Sequence, residues 1–215
     1  MVLFFQSKFP ICFLYTIQSI LNVRANQAKP CTLKYIYSTY FEEFCLGCKG
    51  LCIEPQRRFA GIIQKSRTCG VVNSAVSLND DVNVDIRVGG VLGGKIGTLS
   101  KEVRAETLSK TYPEHQNTVK GFRLSTIFLV NKVKKIDHLS IDCEGCELQV
   151  LESIDFEAVS IRLIQIERND KGEEIKKYLD KQGYTWVEDL GEDSIHVINE
   201  EVGKYQKMNL ALVFR

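Results

Sequence analysis

Short apolar runs alternate with amphipathic stretches along most of the chain. Leu51-Cys52-Ile53 is apolar and closes on Glu54, and Pro55 follows, a residue that suits the first turn of a helix. Phe59, Ile62 and Ile63 then recur at helical spacing. Residues 70–76 predict a strand, and Val82, Val84, Ile86 and Val88 alternate strictly with polar residues, as in a half-exposed strand. Leu124, Ile127, Phe128 and Val130 predict a helix leading into a strand at 136–142. From Glu147 the spacing Leu148, Leu151, Ile154 is helical again. Residues 161–167 read as a buried strand. Ile175, Tyr178 and Leu179 mark a helix stopped by Gly183, and residues 184–190 a further strand. Residues 194–199 and 208–214 predict a terminal antiparallel pair. Strands alternating with helices predict an α/β sheet with helices on both faces.

The remaining segments carry less pattern. Residues 1–23 are apolar, interrupted by Gln6, Lys8, Pro10 and Gln18, and the run from Ile11 to Tyr15 is too short for a membrane span. Lys8, the apolar run, then Ala25 and Ala28 loosely resemble a secretory signal. Two readings stay open. Residues 1–23 are a signal or anchor, with membrane association through them and a secretory or membrane-anchored location, or they pack on the domain of a cytoplasmic protein. Residues 24–34 read as a linker, so the division is an apolar segment with linker at 1–30 and a domain at 31–215. Residues 35–44, rich in aromatics, predict a helix. The glycine-rich stretch 89–97 reads as a surface loop or lid sooner than a phosphate cradle, because no helix signal follows closely. Residues 100–120 read as a long loop with a short helix.

Candidate chemistry gathers at strand ends. Leu139-Ser140-Ile141 runs into Asp142, Glu144 and Glu147, with Gly145 allowing a tight turn. Acids also favour a helix N-terminus for the dipole alone, but three around one glycine at a strand end point to a site. Glu54, Asp142 and Glu167 each close a strand, and consecutive parallel strands bring such ends to one edge of the sheet, where ligands bind. A divalent ion bridging Asp142, Glu144 and Glu167 is chemically open, since hard cations take carboxylates, but no metal is assigned. His138 is expected on the surface or facing a helix, not in catalysis.

Composition narrows the classes. A net charge of +1 with no basic stripe argues against a nucleic-acid binder. Lys132, Lys134 and Lys135, the densest basic run, read as a solvated helix end. The chain has eight cysteines, including the C-x-x-C pairs Cys45/Cys48 and Cys143/Cys146. Their spacing fits no compact zinc ribbon, so the expectation is reduced, mostly buried, metal-free thiols.

Several motifs in order resemble one family. They are Gly50-Leu51-Cys52-Ile53-Glu54-Pro55, Asn73-Ser74-Ala75-Val76-Ser77, the stretch from Ile136 to Glu147, Gln165-Ile166-Glu167-Arg168-Asn169, Gly183-Tyr184 and Leu190-Gly191-Glu192-Asp193. Over roughly residues 36–200 the chain resembles the FkbM family of S-adenosyl-L-methionine-dependent methyltransferases. The resemblance implies a Rossmann-like class I methyltransferase fold, a seven-stranded sheet with an antiparallel last strand. It implies methyl transfer to an oxygen of a small metabolite or sugar, with that acceptor as partner. Glu54 would hold the cofactor ribose, because one carboxylate accepts two hydrogen bonds from a vicinal diol. Ala75, Val76 and Ser77 would lie near the adenine, and Asp142 near the cofactor. Asp142, Glu144 and Glu147 would be the catalytic carboxylates, with Asp142 or Glu144 as base.

The chain departs from the family at one place. The glycine-rich cofactor loop belongs about twenty residues before the ribose acid, yet the window Ala28-Lys29-Pro30-Cys31-Thr32-Leu33-Lys34 has no glycine, and Gly47 is the first in the chain. Strand one and its loop are therefore expected to be missing or replaced, by the apolar N-terminal residues or through truncation or splicing. The alternative function is a degenerate, non-catalytic methyltransferase-like binding protein.

Overall fold

The computed structural model describes residues 2–5, 43, 48–88, 115–143 and 145–206. The expected helix at 35–44 apart from Glu43, the glycine stretch 89–97, the strand at 208–214, the linker, Cys45 and Glu144 lie outside the described residues. Among the described residues no helix is long and apolar enough to cross a membrane.

The elements follow as β1 (Val2–Phe5), β2 (Lys49–Ile53), α1 (Arg57–Ser66), β3 (Gly70–Val72), β4 (Ala75–Val76) and β5 (Val82–Val88). Next come β6 (His115–Phe122), α2 (Leu124–Val130), β7 (Lys135–Ile141), α3 (Glu147–Glu152) and β8 (Ser160–Glu167). The series ends with α4 (Gly172–Lys181), β9 (Tyr184–Leu190) and β10 (Asp193–Ile198). A seven-stranded sheet has the order β3-β2-β1-β7-β8-β10-β9, and β4-β6-β5 form a smaller sheet.

Strand β1 occupies the place between β2 and β7, so N-terminal apolar residues take the position expected to be missing or replaced. It runs antiparallel to both neighbours, with Leu3 opposite Leu139 and Phe4 opposite Gly50. Strand β2 is parallel to β3, and β7 to β8. The last strand, β10, is antiparallel to both β8 and β9. Every strand of the large sheet except β1 and β10 therefore points the same way, and the ends of β2, β7 and β8 share one edge.

The core explains the helices. Ile136, Leu139, Ile141, Ile161, Ile164 and Ile166 are almost fully buried and cluster with Leu124, Ile127 and Phe128 of α2, Val150 and Leu151 of α3, and Ile175 and Leu179 of α4. Burying each such side chain stabilises the fold by about 1.5–3 kcal/mol. Strand β7 is buried from Ile136 to Ile141 although its sequence alternates, because strands inside a mostly parallel sheet are covered on both faces. Buried Asp137 accepts Arg162 through Oδ1 at 3.0 Å, while its Oδ2 is left without a partner, and Arg162 also reaches Glu201 at 2.9 Å.

Five expectations are corrected. The strand at 70–76 breaks in two, because the Asn73 side chain donates to the Glu54 and Pro55 carbonyls at 2.8 and 3.1 Å and turns the chain off β2. Residues beyond the break enter the small sheet. Residues 115–120, read as part of a loop, belong to β6, which pairs antiparallel with β5. Residues 193–198 pair with β9 on one side and β8 on the other, which takes both edges of that strand. Pro55 precedes the N-cap Gln56 and lies outside the first helical turn.

The last correction concerns the cysteines, which are not free thiols. Cys52 is bonded to Cys69 and Cys143 to Cys146, Cys48 is disulfide-bonded as well, and the described residues include no free cysteine. Cys69 precedes β3, so the pairing of β2 with β3 brings it beside Cys52. Cys143 and Cys146 meet across the turn at Gly145. Both proximities arise from tertiary structure and turn geometry, which spacing alone does not reveal.

Two substitutions test this architecture. A Cβ at Gly121 would stand 2.5 Å from Val84 Cγ2 and 3.2 Å from Ser77 Cβ, so Gly121→Ala should cost about 1–3 kcal/mol in urea unfolding. Leu3→Pro places a residue without an N–H in a strand paired on both sides, and should cost about 1–3 kcal/mol for the unpaired ladder group. A Leu3→Pro chain as stable as the parent would remove β1 from the sheet.

Candidate active site

The turn after β7 is held by one side chain. Glu147 opens α3 and is fully buried. Its Oε1 accepts the N–H groups of Cys143 at 2.9 Å and Gly145 at 3.1 Å, and its Oε2 accepts the Asn169 side-chain amide. Asn169 is itself oriented, because its Oδ1 accepts the Lys171 N–H at 2.9 Å. Two donors fill the lone pairs of Oε1. Glu147 thus laces the turn after β7 to the turn after β8. Gly145, with φ of 102°, supplies the left-handed bend this ring requires.

Around this anchor the acids gather. Carboxylate oxygens of Asp142, Glu147 and Glu167 lie within 4.8 Å of one another, with Asp142 and Glu167 half-buried. Like charges this close repel, and a cation bound there would relieve them. The oxygens are near enough to share one divalent ion, although Glu147 is largely committed to its N–H donors. Glu144 lies outside the described residues.

Glu54 ends its strand on the same edge but stands apart, because β1 intervenes. Two strand spacings put it roughly 10 Å from the end of β7. It is 1% exposed, and its Oε1 accepts the Gln56 N–H at 2.7 Å. Burial pushes its pKa up to about 7, against the opposing pull of that hydrogen bond.

Ala75 and Val76 form β4 beside Gly121 and Phe122, and the Ser77 N–H donates to the Phe122 carbonyl at 2.9 Å. Ala75 and Ser77 are buried. Asn73 is the link between this segment and the Glu54 backbone.

His138 is buried, which removes the surface reading and leaves the helix-facing one. Register puts it on the strand face that carries Ser140 and Gln165, and Gln165 donates to Asp193 at 2.6 Å. Burial pushes the Asp193 carboxyl up, with the Gln165 hydrogen bond opposing. Asn169 and Asp193 stand in the motifs that carry the resemblance, but the sequence assigned neither a role. Asn169 had a faint signal, a polar residue just before a helix, whereas Asp193 had none, because strand pairing delivers it. A cavity of about 210 Å³ bounded by Phe128, Leu129, Val133 and Val159 lies beside the start of β7, at the edge away from the acids.

Residues 25–186 match the family model of the methyltransferase FkbM domain. The chain belongs to the FkbM methyltransferase family. Comparisons with curated proteins and with solved structures returned no match. Within this FkbM chain the acid-ending strands at Glu54, Asp142 and Glu167, and Asn169, all fall inside the matched region.

Two buried groups give the fold an opposed pH response. The Glu54 pKa rises from 4.5 to about 7, so native Glu54 keeps its proton and its contribution to stability is lost as pH climbs through that window. Burial lowers the His196 pKa from 6.5 to about 4, so its contribution is lost as pH falls. Between these limits the two slopes partly cancel. Glu54→Gln should remove one of them. Its stability should match the parent near pH 4.5 and exceed it by about 3 kcal/mol at pH 8. An offset that does not change with pH in thermal unfolding would show that the carboxylate is not desolvated.

Proposed function

We propose that the chain is an S-adenosyl-L-methionine-dependent methyltransferase acting on an oxygen of a small metabolite or sugar. The observation that carries this reading is the gathering of Asp142, Glu147 and Glu167 at the edge where β7 and β8 end, in a chain of the FkbM family. A seven-stranded sheet whose last strand is antiparallel, as the resemblance to class I methyltransferases implies, supports the same reading.

The residues fit part of the cofactor. Glu54 suits the ribose diol, since a buried carboxylate with few donors gains two from vicinal hydroxyls. The acids at Asp142 and Glu167 suit a neighbouring positive charge. Ala75, Val76 and Ser77, linked to Glu54 through Asn73, suit the adenine. The methionine tail fits less well. Because β1 is antiparallel, it ends at the edge opposite the acids, and the sequence carries no glycine before Gly47. When bound, the cofactor supplies an electrophilic methyl group. Asp142 takes the acceptor hydroxyl proton, a role worth about 10²–10⁴ in rate. Glu144 is the second candidate for that base, and Glu147 holds the turn on which both stand.

Calorimetry with S-adenosylhomocysteine tests the reading. Diol binding favours ionised Glu54, so affinity should rise about tenfold from pH 6 to pH 8 and level off above. Glu54→Gln should bind more weakly and lose that pH dependence. Losing tail contacts worth about 1.5–3 kcal/mol each should leave even the parent weaker than micromolar. A folded chain that gives no heat at any pH would instead favour the non-catalytic reading.

A further inference from the structure

We propose that Cys143–Cys146 is a redox-responsive thiol–disulfide site that latches the acidic turn, with a dithiol as its reductant. The bond closes a ring over Glu144 and Gly145, with Cα atoms 5.4 Å apart, between Asp142 on one side and Glu147 on the other. Both ring amides with described partners, those of Cys143 and Gly145, donate to Glu147. The ring is therefore held twice, by a covalent bond and by a carboxylate. Only the covalent hold responds to a reductant.

The two disulfides with described partners differ in ways that separate their roles. Cys52–Cys69 spans 17 positions and joins β2 to the residue before β3, with both cysteines buried. Cys143–Cys146 spans three positions, and Cys146 is only half-buried. A short ring removes less entropy from the unfolded chain than a long one, so this bond constrains the turn more than the fold. A dithiol can reach Cys146 without unfolding the core. Its thiolate attacks one sulfur and forms a mixed disulfide, and its second thiol resolves that intermediate. Two electrons and two protons pass to Cys143 and Cys146, and the reductant leaves as its own disulfide. The ring then opens beside Asp142, while the Asn169–Glu147 contact remains.

The consequence for cofactor affinity rests on the methyltransferase reading, but the latch itself does not. The full chain would be treated with dithiothreitol, alkylated and mapped by mass spectrometry, and amide exchange followed at Cys143 and Gly145. Cys143 and Cys146 should be alkylated while Cys52 and Cys69 stay paired, and both turn amides should exchange at least tenfold faster. The double variant Cys143→Ser/Cys146→Ser should show the fast exchange without reductant. S-adenosylhomocysteine affinity should differ at least threefold between the two states of the parent and be fixed in the double variant. Complete reduction of the pair with unchanged amide exchange would overturn the latch, as would reduction of Cys52–Cys69 first. Faster exchange without ligand binding in either state would uphold the latch and remove the methyltransferase reading instead.

Discussion

The large sheet depends on a four-residue strand. β1 is bonded on one side to β2 and on the other to β7, so it joins the β3-β2 pair to the β7-β8-β10-β9 group. Its direction matters as much as its place. A parallel strand there would deliver its following loop to the edge that carries Asp142 and Glu54. An antiparallel one delivers its beginning to that edge and its loop to the other. The spacing between Glu54 and the other acids follows from the same pairing.

Much of this was legible in the sequence, for a local reason. Leu124–Val130, 161–167 and Ile175–Leu179 have periods set by burial against one sheet, and burial writes itself into spacing. Asp142 and Glu167 were legible because an acid ending an apolar run is a local event, and parallel neighbours align such ends. Asn73 shows where local reading stops. It sits inside a run that reads as one strand, yet its side chain reaches backbone carbonyls 18 and 19 residues earlier and divides that run between two sheets. The Cys52–Cys69 bond, the Gln165–Asp193 bond and the burial of His138 also depend on which strands become neighbours.

Glu147 shows how one residue type serves two readings. A glutamate at the start of a helix beside a glycine turn looks like a catalytic acid or a helix-dipole partner. Its observed contacts, two backbone N–H groups and one side-chain amide, fix the shape of the loop that carries its neighbours. The anchor thereby sets where the neighbouring Asp142 stands. Asn169 suits this task because it donates to a carboxylate through one atom and accepts a helix N–H through the other. Aspartate in its place would set two carboxylates against each other.

The two outer strands of the large sheet have a consequence for encounters between copies. β3 is three residues long and offers little backbone to a second chain. β9 is longer, but it carries Glu188 and Asp189, and its pairing with β10 slips at Ile195/His196. Short length, charge and a bulge are the features that keep a strand from templating another. Lys176 also sits over the Trp186 ring at 4.8 Å, setting a cation beside a half-exposed aromatic on that strand. Among the described residues, then, neither rim of the sheet invites a further strand. Growth of the sheet from one molecule into the next is discouraged at both ends by different means.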